Sequence, residues 1–191
     1  MPNLYIIAGC NGAGKTTASF TLLPEMLNCR EFVNADEIAR GISPFQPESA
    51  AIGAVKIMLN RINELISLQV DFAFETTLSA KYFVNLIQKA QKNGYFVTIV
   101  FFWLENVELA IHRVKIRVNE GGHDIPEGVI KRRYKSGIEN LIFKYIAVSD
   151  YWLVINNSKR TFYIIAEGFK DIETDIKDES IWKRIITQAY E

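Results

Sequence analysis

The sequence predicts an α/β fold in which a mostly parallel central sheet is covered by helices on both faces. The main observation is that short apolar runs alternate along the chain with stretches whose apolar residues recur at the helical period. The first run, Leu4–Ala8, is continuously apolar, as in a strand buried on both faces. A length of 191 residues corresponds to one domain, so we expect residues 1–191 to share a single core.

In the first half of the chain, a glycine-rich turn after the first strand leads into a helix. Asp36 and Glu37 then open a helical turn, and a longer helix follows in which apolar residues from Ile52 to Ile66 keep the helical period. The predicted elements of this half are a helix at Lys15–Leu27, a strand at Glu31–Asn34, a loop containing Pro44 and Pro47, a helix at Glu48–Leu68 and a strand at Asp71–Glu75.

The second half contains the most apolar strand and a helical insert. Tyr95–Leu104 is rich in aromatic and branched residues, which favours a buried strand. Two helices flank the Gly121-Gly122 break, and we interpret residues 106–145 as a helical hairpin that acts as a lid. The predicted elements are helices at Ala80–Lys92, Val107–Val118, Pro126–Tyr145 and Ile181–Tyr190, and strands at Tyr95–Leu104, Tyr151–Ile155 and Thr161–Ile165.

Composition argues against several classes of protein. The 22 basic and 22 acidic side chains give no net charge, whereas proteins that bind long nucleic acids or anionic membranes usually carry a basic excess. The densest apolar stretch, Tyr95–Leu104, is too short to span a bilayer. Two cysteines, Cys10 and Cys29, are too few for a disulfide framework, and the N-terminus lacks a basic leader. We therefore expect a cytoplasmic protein.

The turn after the first strand carries a nucleotide-binding motif. Gly9-Cys10-Asn11-Gly12-Ala13-Gly14-Lys15-Thr16 matches the phosphate-loop pattern Gly-x-x-x-x-Gly-Lys-Ser/Thr in full. The glycines let the backbone fold around an anion, and the helix that begins near Lys15 adds its positive end. We expect Lys15 to reach the β- and γ-phosphates and Thr16 to ligate Mg²⁺. Residues 9 to 17, including Thr17, are thus predicted to bind a nucleotide, and the lack of an Asn-Lys-x-Asp sequence favours ATP over GTP.

Asp36 is the first candidate on the acceptor side. It follows a predicted strand, so its carboxylate should lie at the carboxyl end of the sheet beside the phosphate loop. A carboxylate placed there can take the proton from a hydroxyl group that attacks the γ-phosphoryl group. The alternative is that Asp36 is only the N-cap of the following helical turn.

Four segments in order resemble the zeta-toxin-like phosphate-loop kinases. The segments are Gly9–Thr17, Asn34–Ile38, Phe74–Leu78, and the stretch from Arg113 through Gly121-Gly122-His123 to Tyr134. Together they extend over residues 3 to about 158. The resemblance implies a P-loop kinase-like three-layer fold and a kinase that uses ATP and Mg²⁺. Characterised zeta toxins phosphorylate UDP-N-acetylglucosamine, which makes a nucleotide sugar a candidate acceptor and a small antitoxin a candidate partner.

The resemblance also implies roles for individual residues. It assigns the general base to Asp36 and acceptor binding to Glu75 and Thr76, which end the third predicted strand. Two alternatives remain for Glu75: a place in the Mg²⁺ shell, or a carboxylate at a strand end that faces solvent. Family members often carry Asp-Asn-Ser near the nucleotide base where this chain has Asn156-Asn157-Ser158, so Asn157 is a candidate nucleotide contact.

Arginines of the predicted lid are candidates for stabilising the transferring phosphoryl group. Arg113 and Arg117 are four residues apart, a spacing at which like charges disfavour a helix unless an anion lies between them. Family members use two lid arginines. We favour Arg117 and Arg133, with Arg113 and Arg132 as substitutes that bind substrate; a solvated basic face is the alternative.

Three functions are compatible with these observations. The first is a zeta-toxin-type phosphotransferase, and the second is a kinase with another small acceptor, such as a nucleoside. The third is a nucleotide-dependent regulatory ATPase without a dedicated acceptor. They differ in whether a phosphorylated small molecule is produced and in whether Asp36 is needed.

Overall fold

The computed structural model describes residues 1–159 and 161–191. Seven strands form one sheet in the order β2-β3-β1-β4-β5-β6-β7. The pairs among β1 to β5 are parallel, and β6 and β7 add an antiparallel edge. The predicted α/β fold with a mostly parallel sheet is therefore confirmed. The strands are β1 Asn3–Gly9, β2 Glu31–Val33, β3 Phe72–Thr76, β4 Phe96–Trp103, β5 Tyr151–Asn156, β6 Tyr163–Phe169 and β7 Asp175–Ile176.

Eight α-helices accompany the sheet in the described residues. The predicted helix at Lys15–Leu27 is α-helical only to Thr21 and continues as a π-helical turn, Leu22–Met26, that contains Pro24. A second π-helical turn, Leu141–Tyr145, follows α6. The helices are α1 Lys15–Thr21, α2 Ala35–Ile42, α3 Pro47–Leu68, α4 Tyr82–Lys92, α5 Val107–Asn119, α6 Glu127–Asn140, α7 Ile146–Val148 and α8 Glu179–Tyr190.

The sheet is covered on both faces because its central strands send apolar side chains to both sides. In β1, Leu4 and Ile6 belong to one apolar cluster and Ile7 belongs to the other. The first cluster also contains apolar residues of α3, α4 and α8, and the second contains residues of α5. The result is three layers, helix–sheet–helix, with the sheet in the middle.

One strand differs from its prediction. We expected Thr161–Ile165, but β6 begins at Tyr163 and continues to Phe169. Glu167 and Gly168 interrupt the apolar pattern, which hid the second half of the strand. Gly168 is required by packing, since a Cβ at this position would lie 2.9 Å from the indole ring of Trp152.

The parallel strands end at one edge of the sheet. Ala8 is in register with Thr76 of β3, and Gly9 is in register with Phe102 of β4. β1 lies between β3 and β4, although β2 and β3 follow it in sequence, so the chain changes direction across the sheet at β1. A crevice at such a point, outside the carboxyl ends of the strands, is where α/β proteins bind ligands.

The region predicted as a lid, residues 106–145, contains α5, the turn at Gly121 and α6. The C-terminal half of this region is attached to the loop after β3. The Asn140 side chain donates a hydrogen bond to the Leu78 carbonyl at 2.8 Å, and the Tyr145 hydroxyl donates to the Ala80 carbonyl. These contacts hold Asn140 and Tyr145 against the body of the fold.

Across residues 1–159 and 161–191, no helix combines the length and the apolar character needed to cross a bilayer.

Candidate active site

The loop between β1 and α1 depends on glycine at three positions. Gly9, Gly12 and Gly14 have φ angles of 138°, 79° and 81°, which side chains rarely adopt. A Cβ at Gly9 would lie 2.4 Å from the Phe102 carbonyl oxygen, and one at Gly12 would lie 2.6 Å from the Ala110 carbonyl oxygen. No side chain caps α1, so the first amides of this helix have no side-chain partner. The loop has the conformation of a phosphate cradle.

Lys15 lies between this loop and the end of β3. Its side chain is only 6% exposed, and its Nζ donates a hydrogen bond to the Cys10 carbonyl at 2.9 Å. The same Nζ is 3.5 Å from Glu75 Oε1. The buried ammonium group is therefore paired with a carboxylate, as a charge in the interior must be.

Glu75 joins three elements of the site. Its Oε2 accepts hydrogen bonds from Thr16 Oγ1 at 2.7 Å and from Asn34 Nδ2 at 2.9 Å. With a side-chain exposure of 9%, Glu75 is not a carboxylate at a strand end that faces solvent. Its position beside Thr16, the expected Mg²⁺ ligand, favours the alternative in which Glu75 belongs to the metal shell.

Asp36 is the second residue of α2 and is not its N-cap. Asn34 is the N-cap, and its Oδ1 accepts hydrogen bonds from the backbone amides of Asp36 at 2.8 Å and Glu37 at 3.4 Å. The alternative in which Asp36 only caps the helix is therefore wrong. Its carboxylate lines a cavity of about 390 Å³ at the carboxyl edge of the sheet.

This cavity, which we call the acceptor cavity, brings together six of the predicted site residues: Asn11, Lys15, Asp36, Glu75, Thr76 and Arg133. It is bordered by side chains from the phosphate loop, from the ends of β2 and β3, and from α3, α4 and α6. The lining residues are Asn11, Lys15, Asn34, Ala35, Asp36, Val55, Met58, Leu59, Glu75, Thr76, Thr77, Ser79, Ala80, Tyr82, Phe83 and Arg133.

Arg133 is the lid arginine that reaches the cavity. Its Nη1 donates a hydrogen bond to Asn11 Oδ1 of the phosphate loop at 3.1 Å. Burial lowers the pKa of Arg133, while the negative charge of Asp36 opposes this effect. An arginine keeps its charge under such conditions, so α6 places a half-buried cation near both the loop and Asp36.

The other three candidate arginines do not line this cavity. The Arg113 guanidinium donates to the carbonyls of Asn157 and Ser158 at 2.8 and 3.0 Å. Arg117 donates to the His123 carbonyl at 2.9 Å, and its Nε is buried without a partner among the described residues. Arg132 is exposed on α6. Their predicted catalytic and binding roles stay predictions.

The remaining predicted site residues, Asn157, Thr76, Cys10 and Thr17, have different surroundings. The Asn157 side chain donates to the Ala13 carbonyl at 2.7 Å, so it touches the backbone of the phosphate loop. Thr76 Oγ1 accepts from the Leu78 amide at 3.1 Å and shapes the turn after β3. Cys10 is buried, and burial raises the pKa of its thiol to about 11, so the thiol packs in the core. Thr17 is exposed on α1.

Sequence reasoning placed Asn11 among the nucleotide-binding residues without a contact to Arg133, and it gave no role to Asn34. Asn34 bonds to the α2 amides and to Glu75, and Asn11 bonds to Arg133. The pattern Asn-x-Asp-Glu at a strand end signals an N-cap, so the capping half of the Asn34 role could have been found. No local signal marks the contact to Glu75 or the contact to Arg133.

Comparison with known proteins identifies the family. Residues 1–166 match the profile of the family described as Zeta toxin. The chain belongs to the zeta toxin family. As a member of this family it is an ATP-dependent kinase, a phosphotransferase. An uncharacterized protein of Haemophilus influenzae is 32% identical over 127 residues, which cover 66% of this chain and 88% of that protein.

Two solved structures show the same P-loop kinase fold. A complex of AvrRxo1-ORF1 with AvrRxo1-ORF2 and sulphate ions aligns with a TM-score of 0.78 at 16% identity, covering 97% of this zeta-toxin-family chain. This chain spans 63% of the length of that protein, which has also been solved with ATP at the same TM-score. The PezAT toxin–antitoxin system of Streptococcus pneumoniae aligns with a TM-score of 0.65 at 15% identity, covering all of this chain and 86% of that one.

The residues present fit ATP and Mg²⁺. The glycines of the loop allow a backbone conformation with φ near +80° at Gly12 and Gly14, which turns backbone amides toward a bound phosphate group. Within the described part of the chain, no three His, Cys, Asp or Glu side chains gather as a metal cluster. Magnesium ions do not need such a cluster, because they are held by one or two protein oxygens together with phosphate oxygens and water. Thr16 Oγ1 and the Glu75 carboxylate are the protein oxygens suited to this role.

Proposed function

We propose that the protein transfers the γ-phosphoryl group of ATP to a hydroxyl group of a small acceptor, with Asp36 as the general base. The observation that carries this proposal is the acceptor cavity, in which Asp36, Lys15 and Arg133 line one space beside the phosphate loop. A regulatory ATPase has no need for such a cavity with a carboxylate at its mouth. Because ATP is made and used in the cytoplasm, we place the reaction there.

Each residue has a separate task in this reaction. The loop amides and Lys15 would hold the β- and γ-phosphates, and Thr16 with Glu75 would hold Mg²⁺, which would neutralise charge on the phosphate oxygens. Asp36 accepts the proton of the acceptor hydroxyl as its oxygen forms a bond to the γ-phosphorus and the bond from this phosphorus to the bridging oxygen of ADP breaks. Arg133, which is bonded to Asn11 of the phosphate loop, would stabilise the charge that develops on the transferring oxygens.

The proposal also concerns the identity of the acceptor and of a protein partner. The resemblance to zeta toxins supports a nucleotide sugar such as UDP-N-acetylglucosamine, while the apolar wall of the acceptor cavity favours a nucleoside or another small metabolite. A protein partner is supported by two of the solved structures, because one contains AvrRxo1-ORF1 with AvrRxo1-ORF2 and the other belongs to a toxin–antitoxin system. An antitoxin that covers the ATP site would block the activity. Three further roles belong to the proposal: Arg117 as a second catalytic arginine, Asn157 as a nucleotide contact, and acceptor binding by Arg113, Arg132 and Thr76.

The proposal is tested by incubating the protein with γ-labelled ATP, Mg²⁺ and a panel of sugar nucleotides, sugars and nucleosides. We expect label to appear in a phosphorylated acceptor that mass spectrometry identifies. Lys15→Ala is the negative control, since it removes the charge that holds the phosphates. Release of labelled phosphate alone, with no labelled acceptor from the panel or from a metabolite extract, would favour the regulatory ATPase instead.

A further inference from the structure

Tyr134 follows Arg133 on α6, and two hydrogen bonds hold its side chain. The Tyr134 hydroxyl donates to the Leu104 carbonyl at 2.8 Å and accepts from Gln188 Nε2 of α8 at 3.2 Å. Burial raises the pKa of Tyr134, so the hydroxyl keeps its proton and can donate. Tyr134 thus connects α6 both to α8 and to the residue that follows β4.

Gln188 completes a closed set of hydrogen bonds. Its Oε1 accepts from the indole Nε1 of Trp103, the last residue of β4, at 3.0 Å. An indole N–H can only donate and a backbone carbonyl can only accept, so the direction of every bond in the set is fixed. The set begins and ends at two adjacent residues of the chain. We call it the tyrosine network, and its members are Trp103, Leu104, Tyr134 and Gln188.

The same end of β4 packs against the phosphate loop. Phe102 is in register with Gly9, and a Cβ at Gly9 would lie 2.4 Å from the Phe102 carbonyl oxygen. Trp103 and Leu104 come directly after Phe102. The tyrosine network therefore ties α6 to the strand that supports the loop, so the positions of α6 and of the loop both depend on β4.

Rotation of α6 about its own axis decides whether Arg133 reaches Asn11. Their hydrogen bond is 3.1 Å long. A helix with its side chains is about 10–12 Å across, so a rotation of about 20° moves the end of a side chain by about 2 Å, which is enough to break a hydrogen bond. Apolar contacts have no preferred direction and resist such a rotation weakly, whereas the bonds of Tyr134 are directional.

We propose that Tyr134 and Gln188 are positioning residues of the kinase, which fix the rotation of α6 and thereby hold Arg133 at the phosphate loop. The inference rests on the proposed function, in which Arg133 stabilises the transferring phosphoryl group. Gln188 lies beyond residue 166, where the match to the family profile ends. The C-terminal helix therefore takes part in a reaction to which the family match does not assign it.

Tyr134→Phe and Gln188→Leu remove the hydrogen bonds of the network and nearly keep the side-chain volume. The assay measures transfer of label from γ-labelled ATP to the compounds of a bacterial metabolite extract, with a fixed amount of extract and varied ATP. We expect the apparent kcat to fall about 10- to 100-fold in each variant, as when a catalytic group is displaced by about 1 Å. The KM for ATP should change less than about twofold, because neither residue belongs to the phosphate loop.

The same substitutions in an Arg133→Gln background separate positioning from a general effect on the fold. If Tyr134 and Gln188 act through Arg133, removing their bonds should change kcat by less than about twofold once Arg133 is absent. Equal fold-losses in the presence and in the absence of Arg133 overturn the inference. An unchanged kcat in both single variants overturns it as well.

Arg184→Met is the matched control on α8. Arg184 donates to the Glu105 carbonyl at 2.7 Å and lies over the Trp103 ring, so the substitution weakens the attachment of α8 but leaves every bond of the tyrosine network in place. We expect a lower midpoint of thermal unfolding and a kcat within about twofold of the unaltered protein. A loss of kcat equal to that of Gln188→Leu contradicts a positioning role for Gln188.

Failure of this inference can be told apart from failure of the proposed function. If the unaltered protein labels a compound of the extract and the network variants label it at the same rate, only the positioning role is overturned. If the unaltered protein labels no compound, the proposed function is overturned and the positioning role with it.

Discussion

At the scale of single residues, Asn34 connects the two halves of the site. Its Oδ1 caps α2 and thereby positions the turn that carries Asp36, while its Nδ2 donates to Glu75 beside Thr16. One planar amide thus sets the distance between the proposed base and the proposed metal shell. Asn34 is a positioning residue, since it acts on the reaction through Asp36 and Glu75.

Asp36→Asn is the direct test of the base. We expect kcat to fall by about 10²- to 10⁴-fold, the usual contribution of general-base catalysis, because the amide cannot take the proton. Affinity for ATP, measured by calorimetry, should change little, since Asp36 is not part of the phosphate loop. Turnover near that of the unaltered protein would show that Asp36 is not the base.

Asn34→Asp tests the positioning role. An aspartate still caps the helix but brings a second carboxylate against Glu75 in place of a donor. We expect activity to fall by about 10- to 100-fold, with a higher Mg²⁺ concentration needed for half-maximal rate. Thermal unfolding should show that α2 and the fold are retained.

Asn34→Ser is the companion variant, because serine caps equally well and its shorter side chain gives up the contact to Glu75. An intermediate loss of activity is expected. If both variants keep full activity and an unchanged Mg²⁺ dependence, Asn34 is a helix cap and has no effect on the reaction.

Site residues that belong to a short sequence motif could be predicted, whereas contacts between residues far apart in the sequence could not. Lys15 and Thr16 follow from the spacing of one short motif, and Asp36 from its place after a strand. The contact between Asn34 and Glu75 joins residues 41 positions apart, so it depends on the parallel pairing of β2 with β3. No pattern within a short window contains that information.

At the scale of elements, α6 carries one arginine into the site and leaves its neighbour outside. Arg133 meets Asn11 and lines the acceptor cavity, and Arg132 is exposed. Adjacent residues on a helix lie about 100° apart, so they cannot share a direction. This explains why the basic run at residues 131–135 could not by itself identify the active cation.

Arg133→Gln should lower kcat by about 10²- to 10³-fold, the usual cost of removing one donor to transition-state charge. Lys131→Gln is the control on the same helix and should change kcat by less than about twofold, because Lys131 is exposed and lies outside the acceptor cavity. Steady-state rates with a saturating acceptor make the comparison. Equal effects of the two substitutions would show that Arg133 is not the catalytic arginine.

At the scale of the whole molecule, the alternation of strands and helices was sufficient to predict a parallel sheet, but its far edge was not predictable. β7 contains only Asp175 and Ile176, both exposed, so no apolar run reveals it. The full length of β6 was hidden by Glu167 and Gly168. Short edge strands pair through backbone N–H and C=O groups, which every sequence provides. Their positions are therefore not marked by a pattern of side chains and cannot be predicted from the sequence.

Because both cysteine thiols are buried, we expect the free energy of unfolding to depend on pH in the alkaline range. Burial raises the pKa of Cys10 and of Cys29 from 9.0 to about 11. Because the folded state binds the thiol protons more tightly than the unfolded state, the protonated thiols contribute their full stabilisation of the fold below pH 9. This contribution is lost as the pH rises through 11. We expect the free energy of unfolding, from denaturant titrations, to fall over this range.

The double variant Cys10→Ala, Cys29→Ala isolates this effect from the titration of lysines and tyrosines. Between pH 9 and 11 its stability should decline less steeply than that of the unaltered protein. Parallel slopes for the two proteins would show that the thiols titrate normally in the folded state.

The hydrogen bond from the Asn157 side chain to the Ala13 carbonyl joins residues that are 144 positions apart. During translation the glycine turn leaves the ribosome long before the side chain that braces it has been added. Nascent chains therefore carry an unbraced turn until β5 has paired with β4.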